Sequence, residues 1–224
     1  MIEIEFAIEE ARQEKHTVDN LAAITEKLIR TLRKGDPIIK NPLLLIAAFP
    51  RSGTKYTAKI LQQVGLDINH EVLRADGSVS WFHILFDEEI KYQHIFHQVR
   101  HPLDAISSSQ ELDDGFIDYM GRFVLVPDKK EAPGFIRRAH AWLGWNRFIS
   151  SKAEFCFRVE EMEKILPEIS YRTGRVFSAS LQGLIDFTWW DGPKEYKKIT
   201  WDDLEKEKLA KEIRKEALIC GYGV

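Results

Sequence analysis

The sequence predicts an α/β protein in which a central parallel sheet is covered by helices on both faces. Two observations carry this expectation. Short apolar runs without alternation, the clearest being Leu43 to Phe49, suit strands buried on both sides. Each run is followed by a segment whose apolar residues recur at helical spacing. The junctions supply a third observation. Gly53 and Pro102 stand where a strand gives way to a helix, and ligands of such sheets sit at the C-terminal ends of the strands.

Taken in order, Leu21, Ile24, Leu28 and Leu32 predict an N-terminal helix that stops at Gly35, with Pro37 beyond. This helical extension covers residues 1–36, and the α/β core of the single domain covers 37–224. Leu43 to Phe49 is the first strand. After the turn at Pro50 to Thr54, Tyr56, Ile60 and Val64 mark a helix closed by Gly65. Ile95 to Val99 forms a second strand, and Pro102 opens a helix through Ala105 and Ile106. Residues 111–134 read as irregular, because Asp113-Asp114-Gly115 and Pro127-Asp128-Lys129-Lys130 favour turns. A helix from about Phe135 to Ile149 carries Ala139, Trp142, Leu143 and Phe148 on one side. Ala153 to Val159 is a third strand. Thr200 with Asp203 forms a capping box for one C-terminal helix bearing Leu204, Ile213, Ala217 and Leu218, ended by Gly221.

Composition narrows the function classes. The 224 residues are 44% hydrophobic and 30% charged, which is too apolar for a disordered chain. No run approaches the roughly 18 apolar residues of a membrane span, and the acidic N-terminus does not resemble a secretory signal. A cytoplasmic location is expected. Lys and Arg number 32 against 35 Asp and Glu, a net charge of -3 that disfavours a nucleic-acid partner. Cys156 and Cys220 lack C-x-x-C or Cys/His spacing, so neither a disulfide scaffold nor a structural zinc site is expected. The seven histidines show no ligand spacing, and no metal is expected. Trp142, Trp145 and the Trp189-Trp190 pair read as packing residues.

The turn Pro50-Arg51-Ser52-Gly53-Thr54 has the makings of an anion cradle. A glycine between strand and helix lets backbone N–H groups face an anion at the positive end of the helix dipole. Ser52 and Thr54 add hydroxyls; Arg51 and Lys55 add charge. The Walker A pattern G-x-x-x-x-G-K-S/T is not met, since Ala48 stands at its first glycine and Thr54 follows Gly53.

This turn resembles the 5′-phosphosulfate loop, P-K-S-G-T or P-R-S-G-T, of sulfotransferases that use 3′-phosphoadenosine 5′-phosphosulfate (PAPS). A second family motif, an arginine and a serine eight residues on at the end of a later strand, is similar to Arg100 and Ser108. Asn69-His70-Glu71, Asp76-Gly77 and Ser80-Trp81 resemble the G-H-E, D-G and S-W stretches of bacterial sulfotransferase-like proteins. Arg158 to Met162 resembles the family's R-Y-E-D-L, and Gly221-Tyr222 is similar to the close of many members. The departures are Lys55 in place of a second threonine, the absence of a C-terminal R-K-G, and an N-terminal helix without a counterpart.

The resemblance implies a three-layer P-loop-type fold and transfer of a sulfuryl group from PAPS, leaving 3′-phosphoadenosine 5′-phosphate (PAP), to a hydroxyl of a small-molecule or glycan acceptor. It implies that Arg51 acts on the bridging oxygen and that Ser52, Gly53 and Thr54 hold the 5′-phosphate. Lys55 then either adds a charge contact or points away, and Tyr56 takes the place of a family tryptophan near the adenosine. Arg100 and Ser108 would bind the 3′-phosphate, with Arg172 or Arg175 as substitutes for the missing R-K-G. The general base would be Glu71 or His70, with Asp76 and His83 as further choices. Two other functions fit the same motifs: a PAPS- or PAP-binding protein without transferase activity, and a P-loop kinase acting on a small molecule. The acceptor's identity and the oligomeric state are left open by the sequence.

Overall fold

A computed structural model describes residues 41–86, 90–177 and 196–223. The expected N-terminal helix and the Trp189-Trp190 pair lie outside the described residues. Among the described residues a five-stranded sheet runs β1 (Leu44–Ala48), β2 (Ile68–His70), β3 (Gly77–Ser80), β4 (His94–Val99) and β5 (Phe155–Arg158). Its spatial order is β2-β3-β1-β4-β5, and every pairing is parallel. The chain is thus α/β with a parallel sheet flanked by helices.

The apolar run of β1 explains its central place. All five of its residues are fully buried, alternately on the two faces. Leu44 and Ile46 join Phe96, Phe157 and the residues Ala58, Ile60 and Leu61 of helix α1 (Thr54–Gln63) in one cluster. Leu45 and Ala47 join the other, which contains Trp142 and Trp145. Those two tryptophans lie on the long helix α4 (Gly134–Ser150) and are fully buried, as the sequence predicts. Between α1 and α4 come α2 (Pro102–Ser108), with Pro102 in its first turn, and α3 (Asp114–Met120). Gly77 brings β3 against β1: a Cβ there would lie 1.7 Å from the Leu44 carbonyl oxygen, and its φ of +134° is one that glycine tolerates.

The structure departs from expectation in four places. Strands β2 and β3 were not predicted, being only three and four residues long and without a readable period. The segment read as irregular contains α3, capped by Asp113, whose side chain accepts from Phe116 N–H. A helix α5 (Met162–Thr173) follows β5 despite Pro167. The single expected C-terminal helix is two, α6 (Trp201–Lys206) and α7 (Ala210–Ile219), with Lys208 between them at a φ of +60°. The capping box at Thr200 and Asp203 is present. Of the apolar residues that mark this region in the sequence, Leu204, Ile213 and Ala217 are buried and Leu218 is 57% exposed.

Cys156 and Cys220, expected to stand alone, are joined by a disulfide with a Cα–Cα distance of 5.3 Å. Their 64-residue separation hides this in the sequence. One such bond is no disulfide scaffold, but it ties β5 to the end of α7. His97 is the register neighbour of Cys156, and the ligand atoms of His97, Cys156 and Cys220 lie within 4.8 Å of one another. Both sulfurs are covalently used, so they are not thiolate ligands. The His97 ring nitrogens meet Ser150 Oγ at 3.0 Å and Asn146 Oδ1 at 2.9 Å.

Among the described residues no helix is long and apolar enough to cross a membrane.

Candidate functional site

The turn after β1 is built by two left-handed residues. Arg51 has a φ of +69° and Gly53, which caps α1, a φ of +83°. An arginine in that region is uncommon and costs conformational energy. Ser52 N–H donates to the Phe49 carbonyl (3.2 Å), and Gly53 accepts from Thr57 N–H at 3.1 Å. A Cβ on Gly53 would come within 2.9 Å of Val159 Cγ2, so the segment after β5 packs directly on the turn.

Ser52 is fully buried. Its carbonyl accepts a 2.6 Å hydrogen bond from Gln98 Nε2 on β4, while its hydroxyl has no hydrogen-bond partner among the described residues. Buried hydroxyls are rarely left so, and a ligand oxygen is a natural partner.

Arg100, just beyond β4, joins the two halves of the site. Its Nη1 donates to the Arg51 carbonyl at 3.1 Å and lies 3.5 Å from Ser108 Oγ, which itself donates to the Ala105 carbonyl at 3.2 Å. The Arg51 guanidinium pairs with Glu111 at 2.6 Å. Thr54 is buried, Lys55 is exposed, and Tyr56 is half-buried against the β1–α1 cluster, with burial and nearby Glu163 pushing its hydroxyl up.

On the other side of β1, β2 and β3 deliver the carboxylate. Glu71 directly follows β2 with a φ of +55°, and its N–H donates to the Val79 carbonyl (3.1 Å). Its Oε2 accepts from Ser80 Oγ at 3.0 Å. Its Oε1 lies 3.5 Å from Trp81 N and 3.4 Å from His70 Nε2. Burial raises the Glu71 carboxyl to about 8, against the pull of the Ser80 and Trp81 hydrogen bonds. Burial and the charge of Lys55 lower His70 to about 4, so His70 is neutral near pH 7. His83, fully enclosed and 2.6 Å from Ser78 Oγ through Nδ1, is lowered by burial to about 3.

The structure thus brings Arg51, Ser52, Gly53, Thr54, Lys55, Arg100, Ser108, His70 and Glu71 to the same end of the sheet, where β1, β2, β3 and β4 finish. It separates three others from them. Asp76 precedes β3, accepts from Asp67 N–H and pairs with Arg175. Arg172 pairs with Glu168 and covers Phe155 at the start of β5. All three lie at the opposite, N-terminal end of the strands, so Arg172 and Arg175 do not complete a site at Arg100.

Several supporting residues went unread in the sequence. Gln98 lies inside an apolar strand, and only its polarity there marks it. Arg138 of α4 is nearly buried and donates to the carbonyls of Ser109, Leu112 and Gly134, clasping the segment after Ser108. Its only sequence signal is the Arg137-Arg138 pair within an otherwise apolar helix face. Tyr222 reaches Glu160 Oε2 at 2.6 Å and lies 3.1 Å from the Val99 carbonyl; Glu160 also accepts from His101 N–H at 3.2 Å. The close of the described chain therefore packs against the strand end that carries Arg100.

Comparison with protein-family models, with curated proteins and with solved structures finds no match.

Proposed function

We propose that this protein is a PAPS-dependent sulfotransferase of P-loop-type fold, acting on the hydroxyl of a small-molecule or glycan acceptor. The observation that carries the reading is the reach of Arg100. One guanidinium contacts both the carbonyl of Arg51 in the turn and the hydroxyl of Ser108, so the two sequence motifs form one continuous surface. The unpartnered, buried Ser52 hydroxyl fits an anionic oxygen in that surface. Gly53 lets the turn adopt its left-handed conformation with Val159 packed directly against it, where a Cβ would come within 2.9 Å of that side chain.

In this reading PAPS supplies the sulfuryl group. The Ser52–Thr54 turn and the first N–H groups of α1 hold the 5′-phosphate through donors fixed in advance. Arg51 exchanges its Glu111 partner for the bridging oxygen, and Arg100 with Ser108 selects the 3′-phosphate. Glu71 accepts the acceptor's hydroxyl proton, which a carboxyl held near 8 does efficiently once ionised. His70, lowered to about 4, is the weaker base of the two. A cytoplasmic location belongs to the same reading, and in a reducing compartment the Cys156–Cys220 pair would be open.

Calorimetric titration tests it. PAP is expected to bind without magnesium and more tightly than AMP, and Arg100→Ala is expected to weaken PAP by about 10- to 100-fold, the loss of one or two charged hydrogen bonds. Equal affinity for AMP and PAP would overturn the 3′-phosphate assignment. Magnesium-dependent binding of ATP in preference to PAP would favour a kinase instead, and PAP binding without turnover a binding protein.

A further inference from the structure

Strand β3 ends at Ser80, which is fully buried and whose hydroxyl has three polar neighbours. The backbone N–H groups of Phe82 and His83 both donate to Oγ, each at 3.2 Å. The third neighbour is Glu71 Oε2 at 3.0 Å. A serine hydroxyl carries one proton and two acceptor lone pairs. Two N–H donors occupy both lone pairs, and the remaining contact is the one the proton must take. Its direction is therefore set by the backbone at Phe82 and His83 and is not free to rotate.

We propose that Ser80 is a positioning residue for the base: its committed proton pins Glu71 Oε2 and leaves Oε1 as the oxygen that takes the acceptor's proton. This rests on the reading of Glu71 as that base. Other features of the chain agree with it. Oε1 has only long contacts, 3.5 Å to Trp81 N and 3.4 Å to His70 Nε2. The Glu71 backbone is held in its left-handed conformation by the Val79 carbonyl, in the strand pair β2–β3 that ends at Ser80. The β1–β3 register sets Ser80 beside Ala47, so the same strand end that fixes the carboxylate lies next to the turn at Arg51 to Thr54. A donated hydrogen bond also favours the ionised carboxylate, which burial opposes. The titratable group against this carboxylate is His70 on β2, and Lys55 on α1 and His83 after β3 are coupled to that histidine.

The test is a carboxyl titration of Glu71 by NMR in the ligand-free protein, beside the pH profile of transfer. Ser80→Ala is expected to move the Glu71 midpoint up by about one pH unit and to lower the rate near pH 7 about tenfold. Ser80→Thr, which keeps the hydroxyl, is expected to restore both. Ser80→Cys, nearly the same size with a weak donor, reads out the same shift should the alanine variant not fold. A Glu71 midpoint unchanged in folded Ser80→Ala or Ser80→Cys overturns the proposal. A midpoint that moves while the rate profile stays put removes Glu71 as base and the positioning role with it. If the wild type neither binds PAP nor transfers, the sulfotransferase reading fails and takes the role at a base with it, while the titration separately reports whether Ser80 holds the carboxyl.

Discussion

Glu71 concentrates two unusual properties in one residue. Its backbone adopts a φ of +55°, and its carboxyl is raised to about 8 by burial. Strain of this kind persists where surrounding structure over-determines it, here the β2–β3 ladder and Ser80. A base with that midpoint is mostly protonated at neutral pH, so transfer should rise with pH through about 8. Glu71→Gln is expected to cut turnover by at least about 100-fold while leaving PAP affinity within about twofold. Parallel measurement of turnover and of PAP binding checks this, and unchanged turnover would remove Glu71 from the chemistry. Glu71, Arg51 and Arg100 stand out in the sequence through the family motifs they resemble, and that much of Glu71 was legible. Its environment was not. Ser80 lies nine residues away, and only the pairing of two very short strands makes them neighbours.

At the scale of elements, the long signals were read correctly and the short ones missed. β1, α1, β4, α2 and α4 each combine a clear apolar pattern with a glycine or proline at a junction. β2 and β3 offer too few residues for any period, and α3 is announced only by the capping side chain of Asp113. The disulfide is an element-scale feature of the same kind. It connects β5 to α7 next to Tyr222, whose hydroxyl docks on Glu160 and the end of β4. Closing a loop across 64 residues restricts the unfolded chain. Opening it, by a dithiol reductant or by Cys220→Ser, is expected to lower stability by about 2–4 kcal/mol, seen as a Tm roughly 5–15 °C lower. An identical Tm for oxidised and reduced protein would show that the bond does not constrain the chain in solution.

For the whole molecule, the buried titratable groups define a pH window. His70, His83 and His97 are lowered from 6.5 to about 4, 3 and 4, chiefly by burial. Their folded forms stay neutral where the unfolded chain takes up protons, so the stability they confer is present above 6.5 and is lost as pH falls toward 4. Glu71 has the opposite sign. Raised from 4.5 to about 8, it stabilises the fold at low pH and loses that contribution as pH rises from 4.5 through 8. Below 6.5 three histidines outweigh one glutamate; above 6.5 the glutamate acts alone. Stability should therefore peak near pH 6.5, as urea denaturation between about pH 4 and 8.5 would reveal, and a monotonic rise across that range would contradict the burial of Glu71. The sequence by itself determined the parallel α/β class and the buried central strand, and it singled out the arginines, serines and glutamate of the candidate site. Those properties are local: apolar runs, junction residues and short motifs. Only the tertiary structure decided which of these residues share an end of the sheet, that Arg100 reaches the Arg51 turn, that Arg172, Arg175 and Asp76 belong to the opposite end, and that two distant cysteines meet. Strand order and register set such neighbours, and the contacts that fix strand order join residues far apart in the chain.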